Sequence, residues 1–295
     1  MANTVRVTRI AGALGAEISG VDLSRPLDPA TLKEIEALWR RHLVLVFPGQ
    51  SLTEEQQIAF TRNFGEIENS AGGTVTKPHE KRLDPLMNDV SNLGHDNRPL
   101  PRDDRRRLFN LGNQLWHSDS SFRAIPAKYS LLSARTVAKK GGNTEFADMR
   151  AAYDSLDDET KALVEDLVCE HSLLYSRGLL GFEVTPEERA MFRPVRQRLV
   201  RIHPVTGRKS LYLASHAGTI VGWPMPEARA LLRDLTEHAT QPQFVYAHKW
   251  RQYDLVMWDN RQVMHRVRRF DESEIRDMRR TTVAGNAPTV EQVAA

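Results

Sequence analysis

Three residues of this chain are of the types that hold a redox-active metal: His117 and Asp119, within Trp116-His117-Ser118-Asp119-Ser120, and the distant His265. On an extended segment, residues two apart point to the same side, so a His-x-Asp pair presents both side chains to one space, and a second histidine can close that face. Two neutral imidazoles and one carboxylate leave adjacent coordination positions free for a chelating co-substrate and for dioxygen, the arrangement of a non-haem Fe(II) oxygenase. A His-x-Asp is short, however. In a chain with ten histidines it is also what core or surface histidines beside a turn aspartate look like.

The residues at fixed distances from the three decide between these readings. Arg276 and Arg280 follow His265 by eleven and fifteen residues, and Gly141-Gly142-Asn143-Thr144 ends twenty-five residues after Asp119. A planar guanidinium grips a carboxylate through two parallel hydrogen bonds, and a hydroxyl such as that of Thr144 can complete the hold, so this pair suits the far carboxylate of 2-oxoglutarate. With Leu115-Trp116-His117-Ser118-Asp119-Ser120-Ser121-Phe122, Gly141-Gly142-Asn143-Thr144-Glu145-Phe146, Trp258-Asp259-Asn260 and the His265 to Arg280 segment, the chain resembles the taurine dioxygenase superfamily of Fe(II)/2-oxoglutarate dioxygenases. Residues 113–122, 148–154, 237–241 and 254–261 are most similar to the branch containing 2,4-dichlorophenoxyacetate dioxygenase. The resemblance runs from about Gly12 to about Thr282.

The resemblance implies Fe(II) held by His117, Asp119 and His265, 2-oxoglutarate held by Thr144 and Arg276, and O2 as oxidant. It implies oxidative decarboxylation of 2-oxoglutarate to succinate and CO2, coupled to hydroxylation of the substrate. For an aryloxyacetate, hydroxylating the methylene beside the ether oxygen gives a hemiacetal that falls apart to a phenol and glyoxylate. Arg280 matches the family position that reaches the anionic head of the substrate, and Ser120 could donate to the same group or simply close a turn. Lys77 falls where the narrower branch carries a substrate-side lysine, and a second basic position of that branch falls near Arg98; either is otherwise a solvated loop charge. His216 could face the pocket or be a hydrogen-bonded structural histidine. Trp116 and Trp258 are expected to wall the cavity or to sit in the core, and the run from Arg102 to Arg107 reads as a solvated face.

Three functions are compatible with these residues. The first is a dioxygenase acting on aryloxyacetates such as 2,4-dichlorophenoxyacetate. The second keeps the chemistry and changes the substrate to taurine, an alkyl sulfate or another small anion, with the residues between 66 and 112 deciding between the two. The third is a non-catalytic jelly-roll protein that binds a metal structurally, or a small anion without turnover, which a fourth ligand or a missing oxoglutarate pair would favour. Neither feature occurs in the sequence.

The elements needed to position these residues are legible in outline. Helices are expected over 30–42, from Thr53 (a capping box with Gln56) to near Gly65, over 157–168 and over 226–240. Strands are expected over 43–47, 129–137, 144–147, 244–250, 255–258 and 280–284. Residues 66–112 lose periodicity and read as a long loop suited to a lid. The expected fold is α+β: a double-stranded β-helix, or jelly roll, with flanking helices, in one domain spanning 1–295.

With 295 residues and 40% hydrophobic content, one substantial core is affordable. Lys and Arg number 41 against 38 Asp and Glu, so the net charge is +3, compatible with small anionic substrates and too weak to argue for nucleic acid. The N-terminus lacks the apolar core of a signal peptide, and no apolar run approaches the roughly 18 residues that span a membrane, so a soluble cytoplasmic protein is expected. The single cysteine, Cys169, rules out an internal disulfide and reads as a buried structural thiol. The family resemblance also implies a homo-oligomer.

Overall fold

The computed structural model of the protein describes residues 4–291 apart from 11, 13 and 72. The described residues combine helices with four sheets, of which a seven-stranded one and a three-stranded one face each other. The larger sheet orders its strands Arg6–Arg9, Ala16–Ser19, Val44–Phe47, Leu255–Asp259, Tyr129–Thr136, Asp277–Val283 and Asn88–Asp89. All neighbours are antiparallel except Ala16–Ser19 beside Val44–Phe47. The smaller sheet places Thr144–Asp148 between Val245–His248 and Val263–Val267.

Alternation along the strands explains how the sheets pack. Val44 and Val46 point one way, joining Leu132, Val256, Trp258 and Met278 of the larger sheet with Phe146, Tyr246 and Val263 of the smaller one in a shared buried layer. Leu45 and Phe47 point the other way, onto Ile35 and Trp39 of the helix Pro29–His42 and Phe60 of the helix Glu54–Arg62. A strand covered on both faces carries no polar alternation, which is why 43–47 reads as an unbroken apolar run. The outer face of the smaller sheet, through Ala147 and Met264, packs with Leu232 and Leu235 of the helix Met225–Ala239.

The expected capping box is present: Thr53 Oγ1 accepts from Gln56 N, and Gln56 Oε1 accepts from Thr53 N. Two expectations need correction. The helix anticipated over 157–168 is Asp158–Val164, and Val168–His171 is a strand whose residues alternate inward and outward, with Cys169 buried. Leu163 is exposed, so the apolar row containing it was not one helical face. The run from Arg102 to Arg107 is not simply a solvated face. Residues Arg105–Asn110 form a helix, Arg105 pairs with Glu188, Arg106 with Asp104 at 2.7 Å and Arg107 with Glu272 at 2.5 Å, leaving Arg102 exposed.

Residues 66–112 also hold a short turn at Pro78–Glu80 and the edge strand Asn88–Asp89, which pairs with Arg279 and Arg280. No helix among the described residues is long and apolar enough to cross a membrane.

Candidate active site

His265 lies on the strand Val263–Val267 and, two residues from the core-facing Val263, points into the space between the sheets. His117 belongs to no extended strand of its own. Its main chain forms an isolated antiparallel bridge with His265, with N to O distances of 2.9 and 2.8 Å. Directly paired residues project to one face, and the two imidazole centroids lie 4.3 Å apart. Asp119 follows two residues later. The next residue, Ser120, turns the chain away through a positive φ of 56°.

One ligand atom from each of the three residues lies within 4.8 Å of the others, and all three residues are buried. His117 Nε2 is 3.8 Å from Asp119 Oδ1, and His265 Nε2 is 3.7 Å from Asp119 Oδ2. A carbonyl only accepts, so the 2.8 Å contact between His117 Nδ1 and Leu115 O puts the proton on Nδ1 and leaves the Nε2 lone pair directed inward. Burial pushes both histidines below their usual range, keeping the rings neutral. Burial works against the Asp119 carboxylate, but Arg280 is the largest opposing influence and the net shift is below the usual carboxyl range. Two neutral nitrogens and one carboxylate converging in this way suit a divalent transition metal with open positions. No other His, Cys, Asp or Glu among the described residues joins the group, so the sphere is not closed as in a structural site.

Behind the carboxylate runs a chain of hydrogen bonds. Ser130 Oγ donates to Asp119 Oδ2 at 2.7 Å, Asn260 Nδ2 donates to Ser130 Oγ at 2.9 Å, and Asn260 Oδ1 accepts from Asp119 N at 3.3 Å and Trp258 Nε1 at 2.9 Å. This gives the Trp258-Asp259-Asn260 motif a local purpose that spacing did not reveal. Trp258 backs His265, with ring centroids 4.7 Å apart, and Trp116 packs in the core under Arg266; neither lines the cavity.

Beside the three residues lies a cavity of about 130 Å³ lined by His117, Asp119, Phe122, Arg177, His216 and Arg280, with Met87, Phe109 and Leu173 among its apolar walls. Arg280 Nη1 reaches Asp119 Oδ1 at 2.5 Å, while its buried Nε has no partner. His216 lies 5.9 Å from His117 between ring centroids and shares a 2.9 Å hydrogen bond with Ser176 Oγ. Arg177 was not anticipated; nothing in its spacing from the motifs marks it, and only the turn of the helix Leu173–Gly178 brings it here.

Arg276 sits in an adjoining pocket with Val90, Gln114, Val267 and Phe270. It is buried, its guanidinium makes one hydrogen bond among the described residues, to Val90 O at 3.2 Å, and burial pulls it down to about 10, still fully charged at neutral pH. A lone buried cation is costly unless something anionic completes it. Gly142, at φ +70°, lets its turn approach; a Cβ there would lie 3.4 Å from Arg276 Nε. Thr144 ends that turn opposite Val267, and its Oγ1 accepts from Trp250 Nε1 at 2.9 Å, leaving the hydroxyl proton free to donate.

Three sequence candidates stand elsewhere. Ser120 directs its hydroxyl to Glu68 at 2.7 Å and does not line the cavity. Lys77 and Arg98 are exposed loop residues, also outside it.

The family model for taurine catabolism dioxygenase TauD, TfdA family, matches residues 6–282. The chain belongs to this family. Among TauD/TfdA relatives, an alpha-ketoglutarate-dependent 2,4-dichlorophenoxyacetate dioxygenase of Cupriavidus pinatubonensis is 46% identical over 92% of this chain and 95% of its own length. A (S)-phenoxypropionate/alpha-ketoglutarate-dioxygenase of Delftia acidovorans is 37% identical, covering 98% of each chain. The crystal structure of AAD-2 in complex with Mn(II) and N-oxalylglycine superposes with a TM-score of 0.95 at 64% identity, over 97% of this chain and 100% of the other.

Proposed function

We propose that this chain is an Fe(II)- and 2-oxoglutarate-dependent dioxygenase that hydroxylates the carbon beside the ether oxygen of an aryloxyacetate such as 2,4-dichlorophenoxyacetate. In the balanced reaction, aryloxyacetate, 2-oxoglutarate and O2 give the hemiacetal, succinate and CO2. The hemiacetal's bond to the ether oxygen then breaks, releasing phenol and glyoxylate. The observation that carries the reading is one open three-residue metal group next to a buried, uncompensated arginine.

In this reading His117, Asp119 and His265 hold Fe(II), and Arg276 with Thr144 takes the far carboxylate of 2-oxoglutarate. Bound iron supplies the redox centre for O2 reduction and C–H oxygenation. The chain supplies position and dryness. His117 keeps its proton on Nδ1 so that Nε2 stays a ligand, Asn260 and Ser130 aim the Asp119 carboxylate, and the buried walls exclude water. Arg280, which lines the cavity beside Asp119, receives the substrate's carboxylate, while Phe109, Phe122 and Leu173 accept the aryl ring. The two facing sheets are read as the double-stranded β-helix of a single domain, with residues 66–112 closing over the site, in a cytoplasmic homo-oligomer. The chain's 46% identity to a 2,4-dichlorophenoxyacetate dioxygenase supports the choice of an aryloxyacetate.

Reconstitution with Fe(II) under argon, followed by 2-oxoglutarate, O2 and either 2,4-dichlorophenoxyacetate or taurine, tests this. The expected result is succinate and phenol in equal amounts with the first compound only. Succinate stimulated by taurine alone would move the substrate assignment, and no stimulated succinate with any anion would remove the enzyme assignment.

A further inference from the structure

Arg177 has no counter-ion among the described residues. It is 5% exposed, none of its guanidinium nitrogens meets a carboxylate among the described residues, and its one side-chain hydrogen bond runs from Nη1 to Ser176 Oγ at 3.1 Å. Its Nε is buried without any partner. The plane rests on Phe109, with Cζ 4.3 Å from the ring centroid, a contact that offsets only part of the cost of burying a lone cation. The chain also makes room for it: a Cβ on Gly112 would fall 2.2 Å from Nη1 and 2.3 Å from Cζ.

The other basic residues on this cavity are more occupied. Arg82 is paired with Asp89 and Asp277, Arg106 with Asp104, Lys81 Nζ donates to Ser70 Oγ, and Arg280 spends one nitrogen on Asp119. A carboxylate has two oxygens and several lone pairs to satisfy when it leaves water, and Arg280 already shares its charge and one of its three nitrogens with Asp119.

We propose that Arg177 is the second cation for the substrate's carboxylate, acting with Arg280, and that it sets the preference of the site for acids over their neutral derivatives. The proposal rests on the aryloxyacetate reading above. Arg177 binds substrate and takes no part in holding metal or 2-oxoglutarate.

Calorimetric titration of the anaerobic Fe(II)- and 2-oxoglutarate-loaded protein with 2,4-dichlorophenoxyacetate and with its methyl ester reads this out without turnover. In Arg177→Met the acid should bind about 10–100-fold more weakly while the ester changes by less than about twofold, the scale of a lost charge-assisted hydrogen-bond pair. Gly112→Ala, which displaces the guanidinium without removing its charge, should give a loss in the same direction. An acid-to-ester ratio equal to the wild type's in both variants overturns the proposal, as does equal weakening of both ligands, the mark of a purely structural role. Failure of the wild-type protein to bind the acid at all would instead remove the aryloxyacetate reading, and this proposal with it.

Discussion

His117 and His265 exchange main-chain hydrogen bonds in both directions, at 2.9 and 2.8 Å, as a single pair outside any longer ladder on the His117 side. The pairing fixes where both imidazoles start and does not depend on either side chain. His265→Ala should therefore keep the circular dichroism spectrum of the wild type and lose more metal affinity than the ~10–100-fold typical of an altered outer partner. Titration calorimetry with Mn(II) checks it; unchanged affinity would exclude His265 as a ligand.

Asn260 and Ser130 hold Asp119 from behind, through hydrogen bonds of 2.7 to 3.3 Å. Neither side chain belongs to the metal group. Ser130→Ala and Asn260→Ala should each reduce Fe(II) affinity by about 10–100-fold, Asn260→Ala the more because it also orphans Trp258 Nε1. Comparing metal dissociation constants across the set decides the point, and wild-type values would make the chain of contacts purely structural.

Arg276 is buried with a single carbonyl partner, so its role should show in the co-substrate. Arg276→Met should raise the 2-oxoglutarate KM by roughly 100-fold, and Arg276→Lys should recover little, because a point charge cannot reproduce the planar fork. Thr144→Val should cost about tenfold. Steady-state kinetics at saturating substrate measure all three; a normal KM in Arg276→Met would place the 2-oxoglutarate carboxylate elsewhere.

Acid stability has an identifiable contributor in His171, whose ring nitrogens are buried without partners and whose titration burial pushes down to about 3. An unfolded histidine takes its proton near pH 6.5, so below that the unfolded state binds a proton that the folded state refuses. The contribution is fully present above about pH 6.5 and drains by about 1.4 kcal/mol per pH unit as pH falls toward 3. His171→Phe should flatten the slope by about that amount between about pH 6 and 4 in urea unfolding. Parallel curves for variant and wild type would show that His171 is protonated in the fold.

The sequence exposed most clearly whatever repeats with a period or binds through a fixed residue type. Val44–Phe47 and Leu255–Asp259 were visible because strands covered on both faces are continuously apolar, and Pro29–His42 because Ile35 and Trp39 return at helical spacing. Short strands such as Val200–Ile202 and Lys209–Leu211 were not, since three residues carry no period. The strand bearing His265 was missed because its ligand interrupts the apolar alternation that would have marked it. Around the site, His117, Asp119, His265 and Arg276 were legible from type and spacing. Arg177 and the diversion of Ser120 to Glu68 depend on which loop meets which helix in three dimensions, whereas the exposure of Lys77 and Arg98 agrees with the solvated-loop alternative that their place in the non-periodic stretch 66–112 offered.

The central claim is oxygenation of the carbon beside the ether oxygen, and turnover of 2,4-dichlorophenoxyacetate under ¹⁸O2 tests it most directly. Mass spectrometry should find one labelled oxygen in succinate and none in the phenol, whose oxygen is the original ether atom. Labelled phenol would mean attack on the ring, and unlabelled succinate would mean that 2-oxoglutrate decarboxylation is not the source of the oxidising power; either result contradicts the account.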